Sequence, residues 1–142
     1  MKAKPIKICS ACLLGIICRY DGKSKPNGKV INLVKKEILI PVCPEQSGGL
    51  ATPREGVELK GKMAITESGK DVTKNFTKGT EQVLHIAKIL GINDAILKQR
   101  SPSCGCGQIY DGTFFGKIIK GDGITAALLK KNGIKIISEE DL

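Results

Sequence analysis

The chain has no tryptophan and few aromatics of any kind, two tyrosines and three phenylalanines among 142 residues. Single-stranded nucleic acids are bound largely by stacking bases on such rings, so a stacking platform of that sort is not expected. Histidine is nearly missing too. His85 stands alone, which excludes a Cys2His2 zinc finger. No apolar run approaches the ~20 residues that span a bilayer, and the mean hydropathy is −0.05. The basic start, Met1 to Lys7, passes into Ile8, Cys9 and Ser10 without the apolar stretch of a secretory signal. A cytoplasmic protein with no membrane partner is expected. Internal repeats and low-complexity segments are absent as well, and the length suits one domain over 1–142.

Charge is present in excess of one sign, a net +9. It is spread rather than clustered: residues 1–71 hold 13 basic and 7 acidic side chains, and residues 72–142 hold 10 and 7. Without a basic arm, a nucleic-acid partner is not favoured, and the field suits small anions instead.

Six cysteines are the most informative entries in the composition: Cys9, Cys12, Cys18, Cys43, Cys104 and Cys106. In a reducing compartment they point to metal ligation or thiol chemistry rather than to a disulfide framework. Any one of them taken alone reads more readily as a small buried apolar residue.

Periodicity predicts strands at Ile6 to Cys9, Glu37 to Val42, Asp94 to Lys98 and Ile134 to Ile137. The Glu37 to Val42 run is continuously apolar, as in a strand buried on both faces. Helices are predicted at Asn27 to Lys36, from Asp71 to about Leu90 with Gly91 as its stop, and from Asp122 or Thr125 to about Lys131. Within the long helix, Val72, Phe76, Val83, Ile86, Ala87 and Leu90 form the apolar stripe. A small hairpin is predicted around Gly61, and a second, in which strands Ile109 to Tyr110 and Thr113 to Phe115 flank a two-residue turn, at Asp111-Gly112. Residues 46–56 read as an irregular surface connection. The alternation of strands and helices defines an α/β fold, a mostly parallel sheet flanked by helices. Ligands of such sheets gather beyond the carboxyl ends of the strands, where three of the predicted strands run into loops that hold cysteine.

Cys9-Ser10-Ala11-Cys12 has the C-x2-C spacing of zinc, iron-sulfur and dithiol redox sites. No second such pair follows, and the ferredoxin run of cysteines is absent. A metal site must therefore be assembled from distant loops. Three loop cysteines would hold three corners of a cubane cluster with one iron open, or a zinc ion with one open position. Glu45 and Ser101, close to Cys43 and Cys104, are candidate acid-base partners, weighed against an exposed carboxylate and a turn serine. Arg19-Tyr20-Asp21-Gly22 places a cation and a hydroxyl near such a site, or is a plain turn. Gly48-Gly49 and Gly121-Asp122-Gly123 fit no phosphate-binding spacing and read as turns.

Four motifs in order, Ser10-Ala11-Cys12-Leu13-Leu14-Gly15 with Arg19-Tyr20-Asp21-Gly22, Pro41-Val42-Cys43-Pro44-Glu45, Pro53-Arg54-Glu55, and Arg100-Ser101-Pro102-Ser103-Cys104-Gly105, resemble the thiouracil desulfidase family. The resemblance extends to Gly69 to Thr73 and Thr125 to Leu129. It implies a [4Fe-4S] enzyme with the cluster held by Cys12, Cys43 and Cys104. The fourth iron would take the substrate's sulfur, and Glu45 and Ser101 would serve catalysis. The implied reaction takes sulfur from a thiolated uracil, as base or nucleotide, and yields uracil and hydrogen sulfide without net redox change. Arg19, Tyr20 and Arg54 would contact the ring or a phosphate. Cys9, Cys18 and Cys106 lie outside the matched motifs and are expected to be packing or accessory thiols, Cys106 also an alternative ligand or sulfur acceptor. The rival expectations are a zinc hydrolase or structural zinc protein built on the same cysteines, and a basic RNA-binding module.

Overall fold

A computed structural model describes residues 3–142. Its centre is a four-stranded parallel sheet in the order β2-β1-β5-β8, formed by β1 (Ile6–Ser10), β2 (Ile38–Val42), β5 (Asp94–Leu97) and β8 (Lys135–Ser138). Two antiparallel hairpins accompany it: β3 (Val57–Lys60) with β4 (Met63–Thr66), and β6 (Gln108–Tyr110) with β7 (Ile118–Lys120). The helices are α1 (Gly28–Leu33), α2 (Pro44–Ser47), α3 (Thr73–Leu90) and α4 (Ile124–Lys131).

The alternation of side chains along a strand divides the core in two. Ile8, Ala95 and Leu97 face one side and pack with Val83 and Ala87 of α3 and Leu129 of α4. Cys9 and Ile96 face the other and pack with Val30 of α1 and with Leu13 and Leu39. The outer hairpin β3-β4 closes a third cluster over Phe76.

Local sequence explains the helix ends. Asn27 Oδ1 accepts the N–H groups of Lys29 and Val30 and so starts α1. Asp71 accepts from Thr73 N just ahead of α3, whose N-cap position is Val72. Gly91, at φ 65°, ends that helix in the left-handed region. The buried stripe of α3 runs through Phe76, Gly79, Thr80, Val83 and Ala87, and it leaves the predicted members Ile86 and Leu90 largely exposed. Gly79 belongs to the stripe because α2 lies flat against α3 there. A Cβ on Gly79 would run into the Pro44 carbonyl, and one on Gly48 into the Asn75 carbonyl.

Three expectations are corrected. β2 is not buried on both faces: it is the edge strand of the sheet, and Ile38 is 44% exposed. Thr113 to Phe115 is loop rather than strand, because Asp111 and Glu58 carboxylates take the N–H groups of Thr113, Gly112 and Phe114 that a ladder would need. The connection after Cys43 opens with the helix α2, in which Pro44 fills a first-turn position that has no intrahelical N–H partner.

Candidate active site

Three of the four parallel strands, β1, β2 and β5, deliver their carboxyl ends to one cavity of about 510 Å³. β1 leads through Ser10 into a 3-10 turn, Ala11–Leu14, which carries Cys12. β2 leads into Cys43 and then into Glu45 on α2. β5 leads through Lys98 into the loop of Ser101, Ser103 and Cys104. Cys12, Cys43, Cys104, Glu45 and Ser101, widely separated in sequence, all line this cavity.

The thiols differ in charge preference. Hydrogen bonding from the Cys18 thiol is the largest influence on Cys43, helped by the Gln46 N–H and the Arg54 charge, and brings Cys43 down to about 6 against the cost of burial. The same Cys18 thiol lowers Cys12, with Lys98 and Arg19 assisting against burial. Cys18 is itself raised, by its side-chain hydrogen bonds with Cys12 and Cys43 and by burial. Burial pushes Cys104 up to about 12, although Ser10 and Ser103 offer it hydrogen bonds.

Glu45 is held from both sides. Arg54 Nε lies 3.2 Å from Oε1, and Ser103 Oγ donates to Oε2 at 3.0 Å. The other Arg54 nitrogens donate to the carbonyls of Cys18 at 2.9 Å and Ala51 at 3.1 Å and to Thr52 Oγ1 at 3.0 Å. Arg54 thus braces the site from within rather than presenting a free cation to substrate. Ser101 Oγ accepts from Ser103 N at 3.2 Å and from Cys104 N at 3.1 Å, and lies 3.0 Å from Ser103 Oγ. Behind this loop, Gln99 clamps Cys106 through both backbone groups at 2.8 Å. Glu139 accepts from Gln99 N at 2.7 Å and pairs with Lys98 at 3.0 Å.

The remaining predicted residues divide. Arg19 and Tyr20 line the cavity, the guanidinium stacked over the ring at 5.7 Å and paired with Asp21. Cys9 is fully buried, pushed up to about 12 by desolvation and by the charges of Cys12 and Glu139, and is a packing residue. Cys106 is corrected as an alternative ligand or sulfur acceptor: it is outside the cavity lining, and its thiol is directed at the Ile136 carbonyl 3.8 Å away. Sequence reasoning gave Cys18, Ser103, Lys98 and Glu139 no role at the site. Ser103 lies within the quoted Ser-Pro-Ser-Cys motif, so that motif was the available signal; nothing in the sequence marks Cys18 or Glu139 as neighbours of the site.

The donor set suits an iron-sulfur group. Three soft thiols, two of them disposed toward the thiolate form, open onto one cavity, which is the chemistry such a cluster requires. Among the described residues, no group of three or more His, Cys, Asp or Glu side chains is arranged to hold a single metal ion.

A parallel α/β domain with thiols, a carboxylate and hydroxyls at the carboxyl edge of its sheet is built as an enzyme of the thiol-ligated metal class. Residues 8–141 match the family model described as 2-thiouracil desulfurase, and the chain belongs to that family. An uncharacterised protein of Bacillus subtilis (strain 168), YbbK, is 43% identical over 145 residues, covering 95% of this chain and 96% of its own. The solved structure of the [4Fe-4S]-dependent thiouracil desulfidase TudS superposes with a TM-score of 0.93 at 45% identity, over 98% of this chain and 93% of that one.

Proposed function

We propose that this protein removes sulfur from a small thiolated uracil, base or nucleotide, using a [4Fe-4S] cluster held by Cys12, Cys43 and Cys104. The convergence of those three cysteines with Glu45 and Ser101 on one cavity carries the reading. When bound, the cluster supplies an iron without a protein ligand, a Lewis acid for soft sulfur that makes the attached carbon more electrophilic. Glu45, oriented by Arg54 and Ser103, takes a proton from the water that attacks this carbon. The Ser101 hydroxyl holds a proton for the departing sulfur. Arg19 and Tyr20 border the opening and help seat the ring. Six free thiols and an oxygen-sensitive cofactor suit a reducing cytoplasm. No helix among the described residues is long and apolar enough to cross a membrane.

The test is anaerobic reconstitution with iron and sulfide followed by incubation with 2-thiouracil and 4-thiouracil. Stoichiometric sulfide and uracil are expected. Loaded protein that releases no sulfide from either compound removes the substrate assignment, and zinc in place of iron in protein purified without air removes the cofactor. Cys43→Ala is expected to lose most bound iron and sulfide.

A further inference from the structure

Resting on that reading, we infer that Ser103 is a positioning residue that joins Ser101 and Glu45 into one proton relay. The argument is one of hydrogen-bond capacity. A serine hydroxyl has one proton and two acceptor positions. Both acceptor positions of Ser101 are used, by Ser103 N and Cys104 N. Its contact of 3.0 Å with Ser103 Oγ is therefore made with Ser101 as donor. Ser103 Oγ accepts there and has its own proton left to donate. An ionised carboxylate can only accept, and Glu45 Oε2 lies 3.0 Å away, much nearer than the Cys104 sulfur at 3.7 Å. The polarity is thus fixed from Ser101 to Ser103 to Glu45. Ser103 is 1% exposed, so bulk water does not compete for these bonds.

The resting chain is ready for Glu45 to receive a proton, and it supplies the way back. Once Glu45 has taken the proton of the attacking water, the two hydroxyls turn about their Cβ–Oγ bonds, and Ser101 Oγ gives up its longer backbone contact, to Ser103 N at 3.2 Å, so that it can accept from Ser103. The Glu45 O–H bond breaks as Ser103 Oγ gains that proton. The Ser103 proton moves to Ser101 Oγ, and the Ser101 proton goes to the sulfur leaving carbon. Three O–H bonds break; two O–H bonds and one S–H bond form. The carboxylate is regenerated, and no electron changes hands.

The test uses cluster-loaded protein, with rates normalised to bound iron and sulfide. Ser103→Ala is expected to keep the cluster absorbance while sulfide release falls roughly 10²-fold, within the range of lost acid-base assistance. In mixtures of light and heavy water, the wild-type rate is expected to show a curved, multi-proton dependence, which becomes linear in Ser103→Ala. Ser103→Thr, which keeps the hydroxyl, restores most of the rate and the curvature. A readout free of turnover comes from infrared spectra of cluster-free protein. The Glu45 carboxylate band, identified by its loss in Glu45→Gln, is expected to move in Ser103→Ala. Should Ser103→Ala fail to load, Ser103→Cys places a poor donor at the same point and is expected to give the slow, linear behaviour. Wild-type rate and curvature in Ser103→Ala or Ser103→Cys, or an unmoved Glu45 band, overturns the relay. Full activity in Glu45→Gln and Ser101→Ala would instead remove the reading beneath it, a result distinct from the first.

Discussion

Arg54 holds Glu45 by a single oxygen, Nε to Oε1 at 3.2 Å, and leaves Oε2 to Ser103. A guanidinium that could have forked onto the carboxylate spends its other donors on the Cys18 and Ala51 carbonyls and on Thr52. One side chain therefore ties together the loop after Cys12, the helix after Cys43 and the 46–56 connection.

Arg54→Ala should accordingly destabilise the protein strongly. Both partners are largely buried, 8% and 12% exposed, and removing one side of such a pair costs on the order of 3 kcal/mol. Arg54→Lys keeps the charge, but one nitrogen with three donors cannot span the four acceptors that the guanidinium holds, and a smaller loss is expected. Urea unfolding of cluster-free protein measures both; equal stability of all three forms would show the brace to be dispensable.

Glu45→Gln changes little in shape and removes the base. Cluster content is expected to stay at the wild-type level while turnover falls by ~10²–10⁴. Retained turnover assigns the water's proton to another group.

Cys18→Ala tests the charge balance of the thiols. Thiolate accumulates above a thiol's pKa, so Cys43 in cluster-free protein should react with iodoacetamide once the pH passes about 6. Without its main hydrogen-bond donor, the inflection should climb toward the ordinary 9.0. Cys104, at about 12, should stay unreactive in both proteins. Peptide mass mapping across pH reads each site separately, and an unmoved Cys43 inflection rejects the role given to Cys18.

Gly79→Ala pits two effects against each other. Alanine in place of a helical glycine gains roughly 1 kcal/mol of helix propensity. The new methyl meets the Pro44 carbonyl, a backbone atom that cannot rotate away, and overpacking of this kind costs ~1–3 kcal/mol. Net destabilisation is expected, together with weaker iron binding, because α2 follows Cys43 and carries Glu45. Lys78→Ala, one residue away on the exposed side, is the neutral control. A Gly79→Ala protein more stable than its parent would show that α2 can lift off at no cost.

The strands, the long helix and the cysteine-bearing loops were legible because each is written in local periodicity and in turn residues. Cys12, Cys43 and Cys104 could be placed at strand ends without knowing the strand order. The exposure of β2 depends on that order, which no local pattern encodes. The 111–117 loop escaped because its N–H groups are satisfied by Glu58, more than fifty positions away in sequence. The same holds for Glu139: it reads as part of an acidic tail, yet it sits buried beneath Lys98 and Gln99. Cys18 could be named as a thiol, but its place between Cys12 and Cys43 follows from how a loop closes in space.

The outer position of β2 also bears on aggregation. An open strand edge invites a second chain to add on and begin aggregation. Here that edge carries Pro41, which has no N–H to offer an incoming strand, a substitution tolerated only at such a margin. The strand that presents Cys43 to the cavity is thus poorly suited to recruit a neighbouring strand along its open edge.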